Sequence, residues 1–177
     1  MPVRVALAAL LLLAGLPFSA QAQAPTVFVL VRHAEKGAGS DPSLTEAGRA
    51  RAEALRDALL GAGVEHVVAS QFARAQETVT PLADALGLAV EVRPLEGGDA
   101  VAAARAQALA LAEGYRGRTV VVAGHSNTIP AMAGALTGAD LPEWDEADYD
   151  NLLVVTLPPS GPPRLLRARY GAADPVP

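Results

Sequence analysis

The sequence predicts an α/β domain whose sheet is covered by helices on both faces. Two observations predict it. Short apolar, β-branched runs such as Thr26–Arg32 (TVFVLVR) and Arg118–Ala123 (RTVVVA) recur without polar alternation, as strands buried on both sides require. Between them lie longer segments with helical spacing and capping residues, so strands and helices alternate. No repeat and no linker divides the chain.

Each element has a local reason. Thr26–Arg32 is the first strand, followed by a Gly-rich loop from Gly37 to Ser43. Thr45 and Glu46 open a helix to about Leu60, with Leu55, Ala58 and Leu59 as its apolar face and Gly61 and Gly63 as its stop. Val64–Ala69 is a second strand. Phe72–Leu86 reads as helical, with Pro81 expected to kink or restart it. Leu88–Val92 is a third strand, and Asp99 caps an alanine-rich helix to about Glu113. Arg118–Ala123 is a fourth strand. A short helix over Thr128–Leu136 tolerates Pro130 in its first turn. Asn151–Leu157 and Arg164–Tyr170 flank a Pro-rich turn and close the sheet. Gly171–Pro177 reads as a frayed tail.

The chain has 177 residues, enough for one domain with its own core, and no cysteine. Disulfides, thiolate metal sites and a Cys nucleophile are therefore excluded. Arg4, the apolar stretch Val5–Leu16 and the small-residue run Ala20-Gln21-Ala22 have the three parts of a secretory signal peptide. The apolar stretch is shorter than the ~20 residues of a membrane span. The expected organisation is a signal peptide over 1–22 and one domain over 23–177, exported to a periplasm or the medium and free of the membrane after cleavage. Cleavage after Ala24 is the alternative. Removing 1–22 takes away one Arg and no acid, so the net charge moves from −5 to −6. That balance argues against a nucleic-acid partner, which would recruit clustered Lys and Arg.

In open α/β sheets ligands bind beyond the carboxyl ends of the strands. Here those ends read Arg32-His33-Ala34-Glu35-Lys36, Ala69-Ser70-Gln71-Phe72-Ala73-Arg74 and Gly124-His125-Ser126-Asn127-Thr128. Two of the three histidines, with Arg32 and Arg74, fall on one rim. Arginines at a rim near helix N-termini make an anion site, because guanidinium forks match phosphate oxygens. A neutral imidazole among cations can attack phosphorus, while the arginines neutralise the transferring group. Such chemistry needs no metal or other cofactor. His66 lies at the opposite end of its strand and reads as structural.

VRHAEK, SQFARAQET and GHSNT, in that order at three strand ends, resemble the histidine phosphatase superfamily, the phosphoglycerate-mutase-like fold. The similarity spans about Val27–Val155 and is greatest to small exported members carrying RHAEK and GHSNT. The resemblance implies a three-layer α/β/α sandwich on a mixed, mostly parallel sheet. It implies His33 as the nucleophile that becomes phosphohistidine, Arg32 and Arg74 as phosphate-holding arginines, and His125 as the second histidine on the phosphoryl oxygens. Arg74 sits in an S-x-x-x-R-x-x-x-T pattern ending at Thr78. Many members also carry an acid after the third strand that protonates the leaving group. Glu96 is the expected counterpart, with Glu35, Asp148 and Asp150 as other candidates. Ser126 follows His125, so the His-Asp pair of the acid phosphatase branch is absent.

The expected activity is hydrolysis of a small phosphomonoester. Two other readings stay open: a non-catalytic phospho-ligand binder on the same fold, and a protein phosphohistidine phosphatase, which export disfavours. Lys36, Ser126 and Asn127 are further candidates for substrate contact, although Ser126 and Asn127 equally suit a helix cap. The acidic stretch Asp140–Asp150 reads either as a solvated loop or as a flap over the pocket. Substrate identity and oligomeric state are not written in these motifs.

Overall fold

The structure is a computed structural model that describes residues 23–174. The proposed signal peptide lies outside the described residues. Six strands and four helices follow one another as β1 Thr26–Arg32, α1 Glu46–Leu59, β2 His66–Ala69, α2 Ala73–Leu86, β3 Val90–Val92, α3 Ala100–Gly114, β4 Thr119–Gly124, α4 Thr128–Thr137, β5 Asn151–Leu157 and β6 Arg164–Arg169. The sheet order is β3-β2-β4-β1-β5-β6. Neighbours from β3 to β1 pair in parallel, whereas β5 runs antiparallel to both β1 and β6. The expected mixed, mostly parallel sheet is present.

The strands sort their side chains onto two faces by simple alternation. Val29 and Val31 point to a core completed by Leu55 and Leu59 of α1 and Val79 and Leu82 of α2. Phe28 and Leu30 point to the other face, where Ala104, Ala108 and Leu111 of α3 meet Ile129 and Met132 of α4. Helices therefore cover both faces, giving three layers. The alanines of α3 let it lie close to α4. Thr45 caps α1, accepting from the Gly48 amide, and Asp99 caps α3, accepting from Val101 and Ala102. α2 runs as one helix through Pro81, where the sequence suggested a kink or restart. The buried face of Ala75, Val79, Leu82 and Ala83 holds the helix on the sheet across that position.

The tail departs from expectation. Residues 171–174 are tied down rather than frayed, because Arg51 reaches from α1 to bond the carbonyls of Tyr170 and Ala172 and the carboxylate of Asp174, while the rest of the expected tail, 175–177, lies outside the described residues. Asp174 in turn accepts from the amides of Tyr149 and Asp150. Among the described residues no helix is long and apolar enough to cross a membrane.

Candidate active site

The topology assembles the site. β2, β4 and β1 are adjacent and parallel, so the residues leaving their carboxyl ends share one rim. Arg32 lies opposite Gly124 in the register, and the His33 amide donates to the Gly124 carbonyl at 2.9 Å. A Cβ on Gly124 would meet the side chains of Ile129 and Thr128 at 2.9 Å, so any larger residue here would push them aside. The His33 and His125 rings consequently meet edge to face, centroids 5.4 Å apart.

His33 is almost fully buried. Its Nδ1 lies 2.8 Å from the Ala34 carbonyl oxygen, which can only accept. Nδ1 therefore carries the proton, and Nε2 keeps a free lone pair. Burial first, then the charges of the surrounding basic groups, lower the His33 pKa to about 3. Burial and the two arginines lower His125 to about 4. Both rings are thus neutral at physiological pH. His125 Nε2 shares a 2.9 Å hydrogen bond with Ser70 Oγ, and the His125 ring packs against the edge of Phe72.

The segment after His33 is fixed from two sides. The Ala34 amide donates to the Thr78 hydroxyl, which donates to the Arg74 carbonyl one turn back in α2. This explains the spacing of Arg74 and Thr78. On the other side Glu35 lies against α1 at Gly48, where a Cβ would come within 2.1 Å of the Glu35 carbonyl oxygen. Only glycine admits that approach.

Both arginines are held over aromatic rings, Arg32 4.1 Å from the Tyr149 centroid and Arg74 4.3 Å from that of Phe72. Arg32 is 1% exposed. Its NH1 donates to the carbonyls of Asp145, Glu146 and Asp148, and its NH2 pairs with the Glu146 carboxylate at 3.2 Å. Arg74 reaches Asp41 at 3.4 Å. The Nε–H groups of Arg32 and Arg74 are buried and have no hydrogen-bond partner among the described residues. Buried donors of this kind are costly unless a ligand satisfies them.

These groups line a cleft of about 390 Å³. Its floor is Arg32, His33, Arg74 and His125, and Lys36, Ser126 and Asn127 also line it. Asn127 sits at the N-cap of α4 but its side chain makes no capping bond there. Glu96 is not brought into the cleft. It is exposed in the loop after β3 and is not among the lining residues. That loop is anchored to the rim through the Arg93 amide, which donates to the Ala69 carbonyl, and the Leu95 amide, which donates to the Gln71 side chain. The carboxylates that do line the cleft are Glu143 and Glu146, from the acidic stretch. Its reading as a flap thus has a physical basis, because three of its carbonyls bind Arg32.

The other acid candidates are committed elsewhere. Burial would raise the Glu35 carboxyl, but hydrogen bonds from Arg51 outweigh it and hold it below its usual range. Asp150 is likewise lowered against its burial, by Arg169 and by Asp174. The Asp148 carboxylate accepts from the Asp145 amide within the flap. His66 stacks on Tyr115, centroids 4.4 Å apart, in a structural role.

Ser70 and Tyr149 escaped the sequence reading. Ser70 carried a positional hint, as the first residue past β2, whereas Tyr149 lies in a run whose approach to Arg32 is purely tertiary.

The neutral histidines have a consequence for stability. Below pH 6.5 the unfolded chain protonates both imidazoles, while the folded chain resists until about pH 4 and about pH 3. The unfolded state therefore binds more protons, and stability falls as pH drops through this window. Thermal melts at pH 7 and pH 5 are expected to show a smaller drop for His33→Gln than for the parent chain.

Known proteins share this fold. The sequence model of the histidine phosphatase superfamily (branch 1) matches residues 28–97, which include the first two motifs. No curated protein matches the sequence. Among solved structures, the protein histidine phosphatase SixA complexed with tungstate is 25% identical, with a TM-score of 0.65, covering 81% of this chain and 96% of its own. A mycobacterial glucosyl-3-phosphoglycerate phosphatase is 18% identical, with a TM-score of 0.63, covering 84% of this chain and 100% of its own. With that match over residues 28–97, the shared fold and the two histidines and two arginines gathered on one rim, the chain is similar to the histidine phosphatase superfamily.

Proposed function

We propose that the protein is an exported, metal-independent phosphatase that hydrolyses phosphomonoesters through phospho-His33. One observation carries this reading: an unprotonated His33 Nε2 in the same cleft as two buried guanidinium Nε–H groups that lack partners among the described residues. The structural neighbours named as phosphatases support it, as does the neighbour whose structure holds inorganic phosphate. The Ala20-Gln21-Ala22 site behind a short apolar run supports export of the domain starting at residue 23.

In this mechanism the phosphoryl oxygens take the two Nε–H donors, with His125 beside them. Arg32 exchanges its bond to Glu146 for one to phosphate. His33 Nε2 attacks phosphorus as the P–O bond to the leaving group breaks, and the leaving oxygen takes a proton. The proton stays on Nδ1, donated to the Ala34 carbonyl, so the ring becomes a phosphorylated cation without rearrangement. Water then attacks the phosphorus, the P–N bond breaks, and inorganic phosphate and a proton leave. The guanidiniums meet the charge that spreads over the oxygens, so no metal is required. With Glu96 outside the cleft, the leaving oxygen draws its proton from water in the open site.

A protein phosphohistidine phosphatase is the second reading, favoured by the likeness to SixA. The test is rapid acid-free quenching during turnover of a chromogenic aryl phosphate, followed by mass spectrometry. A phosphate on the peptide containing His33 is expected. Turnover with no phosphopeptide would overturn the covalent mechanism. Absence of turnover on aryl phosphate and on phosphohistidine peptide alike would favour a non-catalytic binder.

A further inference from the structure

The cleft reverses its charge from floor to rim. The floor holds two guanidiniums and two neutral imidazoles. The flap side presents the carboxylates of Glu143 and Glu146, and both residues are exposed to solvent. Asp41 adds a third carboxylate beside Arg74. Lys36 is the one cation on the lining outside the floor. Nothing in the flap's own stretch of chain offsets its acids, because no Lys or Arg occurs anywhere from residue 119 to 163. The floor itself is suited to an anion, although Arg32 is tied to the flap through its carbonyls and Glu146. Arg32 is 1% exposed and its Nε–H lacks a partner among the described residues.

A phosphomonoester bound on that floor must leave its alcohol portion against the rim. Arriving phosphate also releases Glu146 from Arg32, so two carboxylates then face the alcohol side without a protein partner. We infer that this site selects phosphomonoesters whose alcohol portion carries a cationic group, an ammonium or a guanidinium, and discriminates against those carrying a second anion. The inference rests on the phosphatase reading above and adds its substrate class. The physical basis is complementarity: a cation gains from two rim carboxylates, whereas a second anion is repelled. Because the rim is solvated, the effect is moderate and screened by salt.

The experiment uses three aryl phosphates with a para aminomethyl, ethyl or carboxymethyl group. Each offers a phenolic leaving group while the distal charge changes from positive through neutral to negative. The order of kcat/KM is expected to follow charge, with about a tenfold span from cation to anion at low salt, shrinking at 0.5 M salt. In Glu143→Gln/Glu146→Gln the span should collapse to within about twofold, both rates being normalised to the ethyl compound in the same variant. Equal rates for the three compounds, or a span that survives in the double variant, would overturn the inference. Failure to hydrolyse any of the three compounds would instead sink the phosphatase reading.

Discussion

Replacing His33 with alanine is expected to lower aryl phosphate turnover by roughly 10⁴-fold or more, since loss of a nucleophile removes the whole covalent route. Binding of inorganic phosphate or tungstate should persist. On the proposed reading both anions are held by Arg32, Arg74 and His125, whose placement derives from the sheet, from Tyr149 and Phe72 and from the bond to Ser70. The fold should also survive. His33 sits at a strand end, and its ring donates one hydrogen bond, to its own neighbour's carbonyl. Retained turnover in the pure variant would eliminate His33 as nucleophile. Loss of anion binding along with turnover would show that the ring also shapes the floor.

The largest stability effect should come from a residue outside the cleft. Arg51 is 4% exposed and joins three parts of the chain. It pairs with Glu35 at 2.7 Å, with Asp174 at 3.0 Å, and bonds the Tyr170 and Ala172 carbonyls. Truncating it leaves two partly or wholly buried carboxylates without their cation, a loss of about 3–5 kcal/mol. For a domain of this size that corresponds to a fall in melting temperature of roughly 10 °C. Asp174→Asn removes one partner and weakens the amide bonds to Tyr149 and Asp150, so a smaller fall is expected. An Arg51→Ala variant melting with the parent would contradict this account. The same network links tail and site: Asp174 holds the Tyr149 backbone, and the Tyr149 ring lies over Arg32.

Much of the fold is visible in the residues because the strands are short apolar runs and the helices carry their caps. Thr45 and Asp99 cap where their side chains predict. The continuity of α2 through Pro81 is not visible, because it follows from a buried face that no local rule weighs against proline. The packed tail is invisible for a similar reason. Gly171–Asp174 has the composition of a loose end, and what orders it is an arginine about 120 positions away.

The sequence alone determined which groups could carry the chemistry. Arginine, histidine and a strand end are adjacent in the chain at Arg32-His33, and the sheet's parallel order follows from alternating elements. Tertiary structure alone decided which acids face the cleft. Glu96 follows a strand in the expected region, yet β3 is the outermost strand, so the loop after it stays clear of the central cleft. Glu143 and Glu146 lie in a loop with no motif, but three carbonyls of that loop bind Arg32 and draw it over the floor. Proximity along the chain fixes local chemistry, whereas contact across a sheet depends on strand order and on long-range hydrogen bonds that no local pattern encodes.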